Sequence, residues 1–312
     1  MGRPWRGFTR LDNETARSAV VLDWEDMLAV TTALAVEYAG LTVIGHVRDH
    51  NEDRLGWVAL DGDSPYVTPA EEHALAPGIA TSGLGLVFAV ADGLGGYGGG
   101  EVASGMAVEA SLSQTQRNLA GGGRVPGILR DAFNRANQAI LDAAISGHGG
   151  RKMQSTLSTL VITPGEAHLG HVGDSRVYRR REGELELLTT DHSQVMELLR
   201  MHIITPEQAI DHPARYALTR SVGGDITVRT DVRNERLERD DAFLLCSDGL
   251  WSNVTSSEIA EALSRPPADT CRRLVDLALE RGGDDNATAM AVRVREAGQR
   301  PETPQGWRRL FS

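Results

Sequence analysis

The stretch VFAVADGLGGYGGGEVAS, residues 87–104, decides how this chain is to be read. An apolar run of strand character stops at one carboxylate, Asp92; six of the next eight residues are glycine, and a helical pattern starts near Glu101. Gly93, Gly95 and Gly98 spell G-x-G-x-x-G, the fingerprint of a dinucleotide-binding turn. That fold needs a βαβ unit and an acid closing a second strand about 20 residues further on. Here the helical pattern 101–119 runs into GGGRVPG and then a second helical pattern, 128–145, so no strand arrives to carry that acid. A carboxylate directly before the first glycine would also repel a pyrophosphate. The nicotinamide reading fails.

At 312 residues the chain is long enough to bury a sizeable core in one large domain or two small ones. Its formal charge of −11 argues against nucleic acid or an anionic membrane as partner, since both select a basic face. Two cysteines, Cys246 and Cys271, make no disulfide framework and suit a reducing cytosol. The N-terminal residues mix Arg, Asp and Glu, unlike a secretory signal. The most apolar run there, 27–36, is too short to cross a bilayer. A cytoplasmic protein is expected.

Residues 1–40 carry no motif and read as an N-terminal extension, with Asp23 expected to cap a helix through about Ala39. Residues 296–312 read as a polar tail with two prolines. The span between, 41–295, alternates in blocks. Strand-like runs at 41–47, 55–60 and 86–91 precede the two helical patterns. Strand-like runs at 157–163, 167–172 and 176–180 follow, joined by tight turns. A helical 193–200 and a loop-rich stretch lead to strands near 226–232 and 242–246, helices near 256–264 and 268–281, and a last strand at 287–294. Hairpin-joined strands separated by helix pairs predict antiparallel sheets with helices packed outside, an α+β architecture.

The acids carry the chemistry. Asp92 follows FAVA, Asp248 follows FLLCS, and Asp174 sits in the turn of HVGDSRVY. Asp284 and Asp285 precede the strand ATAMAVRV, and Glu52 and Asp53 end GHVRDHNED. Each alone has a plainer reading: Asp-Gly after a strand is usually a turn, and GDSR is a good hairpin turn. Five acidic sites at five strand ends are harder to obtain by accident. Brought together they would repel and raise one another's pKa unless cations neutralised them, and only Arg48, Arg176 and Arg281 stand nearby in sequence. Hard oxygen ligands without Cys or His select Mg²⁺ or Mn²⁺ over zinc. Cys246, in an apolar strand, reads as inert core rather than as a nucleophile. The nine histidines show no ligand spacing and read as structural or solvated.

These motifs, VRDHNED, VADGLGG, KMQSTL, GHVGDSRVY, DHSQVMELLR with YALTRSVGG, CSDGLW and DDNAT, stand in the order found in the metal-dependent PPM, or protein phosphatase 2C-like, serine/threonine phosphatases, and the chain resembles their compact bacterial form over residues 41–294. The resemblance implies a four-layer α-β-β-α sandwich with two central antiparallel sheets, and a catalytic domain over 41–295. It implies two Mn²⁺ or Mg²⁺ ions and a third, weaker one. Asp92 would bridge two ions, with the Gly93 carbonyl a ligand to one of them, Asp248 and Asp285 completing the first, Glu52 and Asp53 supporting the second, and Asp174 serving the third. Arg48 would bind the phosphate. Residues 191–225 would form the mobile flap, with Tyr97, Ser193 and His212 as substrate-side residues. The implied reaction is hydrolysis of phosphoserine or phosphothreonine in proteins by a metal-bridging hydroxide, without a phosphoenzyme. The implied partners are phosphorylated proteins, a serine/threonine kinase or its targets, with a role in signalling. Two departures stand out. Leu94 and Tyr97 replace the Met and His frequent in bacterial members, which leaves the general acid open. Met201-His202 stands where a glycine is expected, so the flap's shape should differ. A non-catalytic phosphoprotein-binding regulator is the alternative, and it predicts missing acids. A nuclease would need the basic groove that the composition lacks.

Overall fold

The computed structural model describes residues 34–298, apart from 70, 72, 96–98, 148–149, 151 and 211. In chain order its first half comprises β1 (Leu34–Val43), β2 (Asp53–Ala59), β3 (Tyr66–Val67), β4 (His73–Ser82), β5 (Leu86–Leu94), α1 (Gly99–Ala120) and α2 (Val125–Ser146). Next come β6 (Gln154–Ser155), β7 (Leu157–Thr163), β8 (Glu166–Val172), β9 (Arg176–Arg181), β10 (Glu184–Leu187), α3 (Gln194–Arg200) and α4 (Pro206–Ile210). The chain continues through β11 (Asp231–Arg236), β12 (Ala242–Cys246), α5 (Asp248–Trp251), α6 (Ser256–Ala262), α7 (Pro267–Glu280) and β13 (Ala287–Ala297).

The strands form two antiparallel sheets. One has the order β10-β9-β12-β13-β1-β4; the other has β11-β8-β7-β5-β2-β3, with β6 paired to the end of β5. Successive strand residues point to opposite faces, so a strand covered on both sides must be apolar throughout. In β5, Leu86, Phe88 and Val90 enter the core between the sheets, whereas Val87, Ala89 and Ala91 pack with residues of α1 and α2. In β12, Phe243 and Leu245 face the other sheet, whereas Ala242, Leu244 and Cys246 join the cluster containing α6 and α7. Three apolar clusters therefore separate four layers. The α-β-β-α sandwich expected from the sequence is what forms.

Parity then aims the acids. Asp92 continues the series 86, 88, 90, so its side chain belongs to the space between the sheets. Asp53, directly opposite Asp92 in the β2–β5 register, shares that face with Leu55. The inter-sheet core ends where these carboxylates begin.

Some boundaries differ from the sequence reading. Leu34–Val43 is strand, not the end of a helix capped by Asp23: Leu34, Val36, Ala39 and Val43 are buried and β13 pairs with the whole length. The sheet therefore takes in residues from Leu34, and the helix expected before it lies outside the described residues, as does the tail after residue 298. The strand expected near 226–232 runs instead over Asp231–Arg236. Among the described residues no helix is long and apolar enough to cross a membrane.

Phe88 is fully buried, with Trp57 and Tyr38 rings at 6.4 and 5.9 Å. Phe88→Ala should cost about 3–5 kcal/mol of unfolding free energy, read from urea denaturation. A loss below about 1 kcal/mol would show that the two sheets do not share this core.

Candidate active site

A cavity of about 720 Å³ opens where the inter-sheet core ends. Its walls carry six acids, Glu52, Asp92, Asp174, Asp248, Asp284 and Asp285, against two arginines, Arg48 and Arg215. The strand-end acids singled out in the sequence thus reach one cleft, with Asp53 buried directly behind it at 1% exposure.

Each acid is held by its backbone. The Asp92 N–H donates to Thr156 Oγ1 (2.9 Å), and the Asp92 carbonyl accepts from Thr156 N (2.8 Å) and Ser155 Oγ (2.9 Å), so the KMQSTL segment pins the end of β5. Gly93 N donates to the Glu52 carbonyl (3.1 Å), tying the first two acidic motifs together. Asp248 begins α5 after Ser247. Asp174 is fixed through its carbonyl, which accepts from Trp251 Nε1 (2.9 Å). Asn286 gathers the Arg48 loop: its Nδ2 donates to the Ile44 and His50 carbonyls (2.8 and 2.9 Å), and its Oδ1 accepts from Glu52 N (2.8 Å).

Behind the cleft a hydroxyl chain is polarised toward Asp53. Asn51 Nδ2 donates to Thr42 Oγ1 (2.9 Å), which leaves the Thr42 hydroxyl to donate to Thr288 Oγ1 (2.7 Å). Thr288 in turn donates to Asp53 Oδ2 (2.6 Å). Ser247 Oγ donates to the same oxygen (2.6 Å). Asp53 Oδ1 is buried with no hydrogen-bond partner. A buried carboxylate oxygen left without a partner calls for a proton or a cation.

The electrostatics say the same. Burial, opposed only partly by the Ser247 and Thr288 hydrogen bonds, pushes Asp53 up to about 8. Burial and the neighbouring Asp248 and Asp191 push Asp174 to about 8. Burial and then the Asp53, Asp248 and Asp174 charges raise Asp92 well above the carboxylate range. Burial and Asp285 raise Asp248 to about 6, with a hydrogen bond to Asp92 drawing it back down. Glu52 is raised too, by burial first. Counter-charge is scarce. Arg48, half exposed at the rim, reaches only Asp285 (2.6 Å). Arg176 is spent on Asp191 (2.7 Å) and Arg281 on Glu258 (2.5 Å).

Among the described residues no three Asp, Glu, His or Cys side chains are drawn together into a ready metal cage. The set nonetheless fits hard divalent cations. Its donors are all oxygen and one of them is a buried orphan, and at two glycines neighbouring backbone packs in closely against the ends of the acidic motifs. A Cβ on Gly93 would lie 2.0 Å from the Gly100 carbonyl oxygen, and one on Gly249 would lie 2.2 Å from that of Asn286. Those clashes explain why glycine follows Asp92 and Asp248.

The substrate-side expectations fare differently. Tyr97 lies outside the described residues. Ser193 caps α3, its Oγ accepting from Met196 N (3.3 Å), and is buried away from the cavity. His212 accepts from Ala214 N (3.1 Å) and does not line the cavity either. Both supply backbone order instead. The flap residues on the cavity wall are Arg215 and, within the YALTRSVGG motif, Tyr216 and Leu218, to which the sequence reading assigns no individual role. Beyond α3, His202 takes φ 56°, so this residue adopts the left-handed turn that the departure from glycine put in question.

Fold and cleft together define the class of the PPM phosphatases, and comparison with known proteins places the chain within it. Residues 74–282 match the protein phosphatase 2C family model, and the chain belongs to that family. It is 36% identical over 210 residues to the serine/threonine protein phosphatase PstP of Mycobacterium tuberculosis, covering 67% of this chain and 40% of that one. The chain therefore spans less than half the length of this relative. It is 32% identical over 253 residues to the serine/threonine phosphatase Stp of Listeria monocytogenes, covering 80% of this chain and 92% of that one. A crystal structure of the Mycobacterium tuberculosis PstP/Ppp phosphatase superposes with a TM-score of 0.70 at 32% identity, over 84% of this chain and 100% of the other. The PstP catalytic domain in complex with two manganese ions superposes with a TM-score of 0.68 at 31% identity, over 84% and 99%.

Because the folded-state pKa values of Asp53, Asp92, Asp174 and Asp248 lie above their unfolded values, these acids hold more protons in the native metal-free protein than in the unfolded chain from about pH 8 downward, while buried His171 and His192, whose pKa values are lowered, oppose them only below about pH 6.5. Stability should therefore rise as the pH falls from 8 toward 6. Melting temperatures in chelator at pH 8 and pH 6 would show the rise, and added Mn²⁺ should shrink it by taking the protons' place. A melting temperature in chelator that falls over the same interval would contradict the picture.

Proposed function

We propose that the chain hydrolyses phosphoserine and phosphothreonine monoesters in proteins, in a cleft completed by Mn²⁺ or Mg²⁺. The observation that carries this reading is the gathering of buried, strongly proton-attracting carboxylates, which outnumber the arginines lining the cleft six to two, in a member of a phosphatase family. When bound, divalent ions supply charge to hold a phosphate and make water nucleophilic near neutral pH.

This chain's own residues do the rest. Asp92, Asp248 and Asp285 would hold one ion, Asp92 with Glu52 a second, with the Gly93 carbonyl a ligand to one of the two, and Asp174 a further one. Asp53 supports them from behind through its open oxygen. Arg48, at the rim and bonded through Nη2 to one Asp285 oxygen, is the group for two phosphate oxygens, a planar task that lysine does not reproduce. The narrow backbone of 93–95 forms a low floor on which a phosphorylated side chain and its peptide approach. The substrates are then phosphorylated proteins, including a serine/threonine kinase or its targets. With both cysteines free and buried, a reducing cytoplasm suits the fold.

Phosphate release from a phosphothreonine peptide should require Mn²⁺ or Mg²⁺ and stop with a chelator. Even outer-shell partners of metal ligands are worth about 10–100-fold, so Asp92→Asn or Asp248→Asn should lose at least about 100-fold in kcat without a fall in melting temperature. Arg48→Ala should act mainly on KM, and Arg48→Lys should not restore it. Peptide binding without metal-dependent turnover in the wild type would overturn the enzyme reading in favour of a phosphoprotein-binding regulator.

A further inference from the structure

The motif DHSQVMELLR begins with two buried residues, Asp191 and His192, that do not line the cavity. Every polar atom of His192 is nevertheless engaged, and the partners divide into two groups. Its backbone N–H donates to the Gly173 carbonyl (2.7 Å), and its Nδ1 accepts from Gly173 N (3.1 Å). Both backbone groups of the residue before Asp174 are thus held by His192. Its carbonyl accepts from Thr219 N (2.8 Å) on the flap's return path. Because Nδ1 accepts, the proton of the neutral ring sits on Nε2, which donates to Asp231 Oδ2 (3.2 Å). Arg220 Nη1 lies beside that nitrogen (3.1 Å) and donates to Asp231 Oδ1 (2.8 Å). Two atoms of His192 go to the Asp174 turn and two to the flap's return and its anchor.

Asp191 grips the other side of the same turn. It binds Arg176 through both oxygens, the Arg176 guanidinium lies 3.5 Å over the Trp251 ring, and Trp251 Nε1 donates to the Asp174 carbonyl (2.9 Å). The flap itself closes on this root: Gln194 N donates to Ala217 O (2.8 Å), one residue from Leu218 on the cavity wall.

We propose that His192 is a positioning residue that latches the flap's root to the turn carrying Asp174, so that the substrate-side wall and this carboxylate share one position. What Asp174 does once placed rests on the phosphatase reading above; the latch itself does not. A mere core histidine would lose stability on substitution without linking the two elements.

The test is hydrogen exchange of the metal-free protein followed by mass spectrometry, on peptides covering 171–176 and 213–220. The variants are His192→Gln, His192→Asn and Arg220→Ala, with melting temperatures as a check of folding. Glutamine extends toward Asp231 but cannot place an acceptor at Nδ1, so both peptides should exchange about tenfold faster, the scale of a local opening. Asparagine offers its amide oxygen near the Nδ1 position and should restore protection of the turn. Arg220→Ala should loosen the turn as well as the flap, although it touches only the flap side. With p-nitrophenyl phosphate and Mn²⁺, His192→Gln should lower kcat about tenfold with KM within about twofold, and asparagine should recover most of it. The latch is overturned if Arg220→Ala loosens the flap while the turn stays protected, or if asparagine and glutamine behave alike. Wild type without metal-dependent turnover would refute the phosphatase reading while leaving the exchange result to judge the latch.

Discussion

Repulsion among carboxylates at the mouth of a dry core governs this molecule. Two like charges about 5 Å apart cost about 3 kcal/mol even at an effective dielectric constant of 20. A few such pairs rival the whole stability of a domain, about 5–15 kcal/mol. Strand parity leaves no escape, because Asp92 and Asp53 continue the faces that bury Phe88 and Leu55. The surroundings are built accordingly: hydroxyls aimed at Asp53, backbone donors and acceptors clamping Asp92, and a carboxamide at 286 holding the loop that brings Arg48 to the rim.

The arginines nearest these acids in sequence do not resolve the repulsion. Arg176 looks in sequence like a neighbour of Asp174, yet β-strand alternation turns it toward Asp191 and the Trp251 ring. Arg281 closes on Glu258 at the start of α6. Arg48 meets one acid only, from an exposed position. The charge deficit is therefore local and deliberate in its geometry, and it is the property that protons relieve in the metal-free state and divalent ions relieve better.

Much of the frame was legible because two-sided burial writes itself as unbroken apolar runs. FAVA, AFLLC and ATAMAVRV are central strands, and each reads as one. The illegible strands are those on which this pressure is weaker or masked. β4, HALAPGIATS, carries Pro77 and Gly78 and reads as loop; it survives as an edge strand, where a missing ladder donor is tolerated. β1 continues an apolar run whose alanines suit a helix as well as a strand, and only its pairing with β13 settles the matter. β11, DVRNER, lies at a sheet edge with three exposed positions, so its pattern carries little hydrophobic signal.

The acids of the cleft were legible for a related reason. An isolated carboxylate at the end of a buried strand is expensive, and expense stands out against an apolar background. The residues that place those acids were not, because their chemistry is ordinary where they stand. An asparagine before a strand, a threonine after a serine and a histidine between an acid and a serine each have a bland local reading. Asn286 matters through partners 234–242 positions away, Thr156 through one 64 away, and His192 through Gly173 and Arg220, 19 and 28 positions to either side. Cost is a property of a residue in its segment and can be read along the chain. Placement is a relation between segments, and it becomes visible only once the sheets have brought them together.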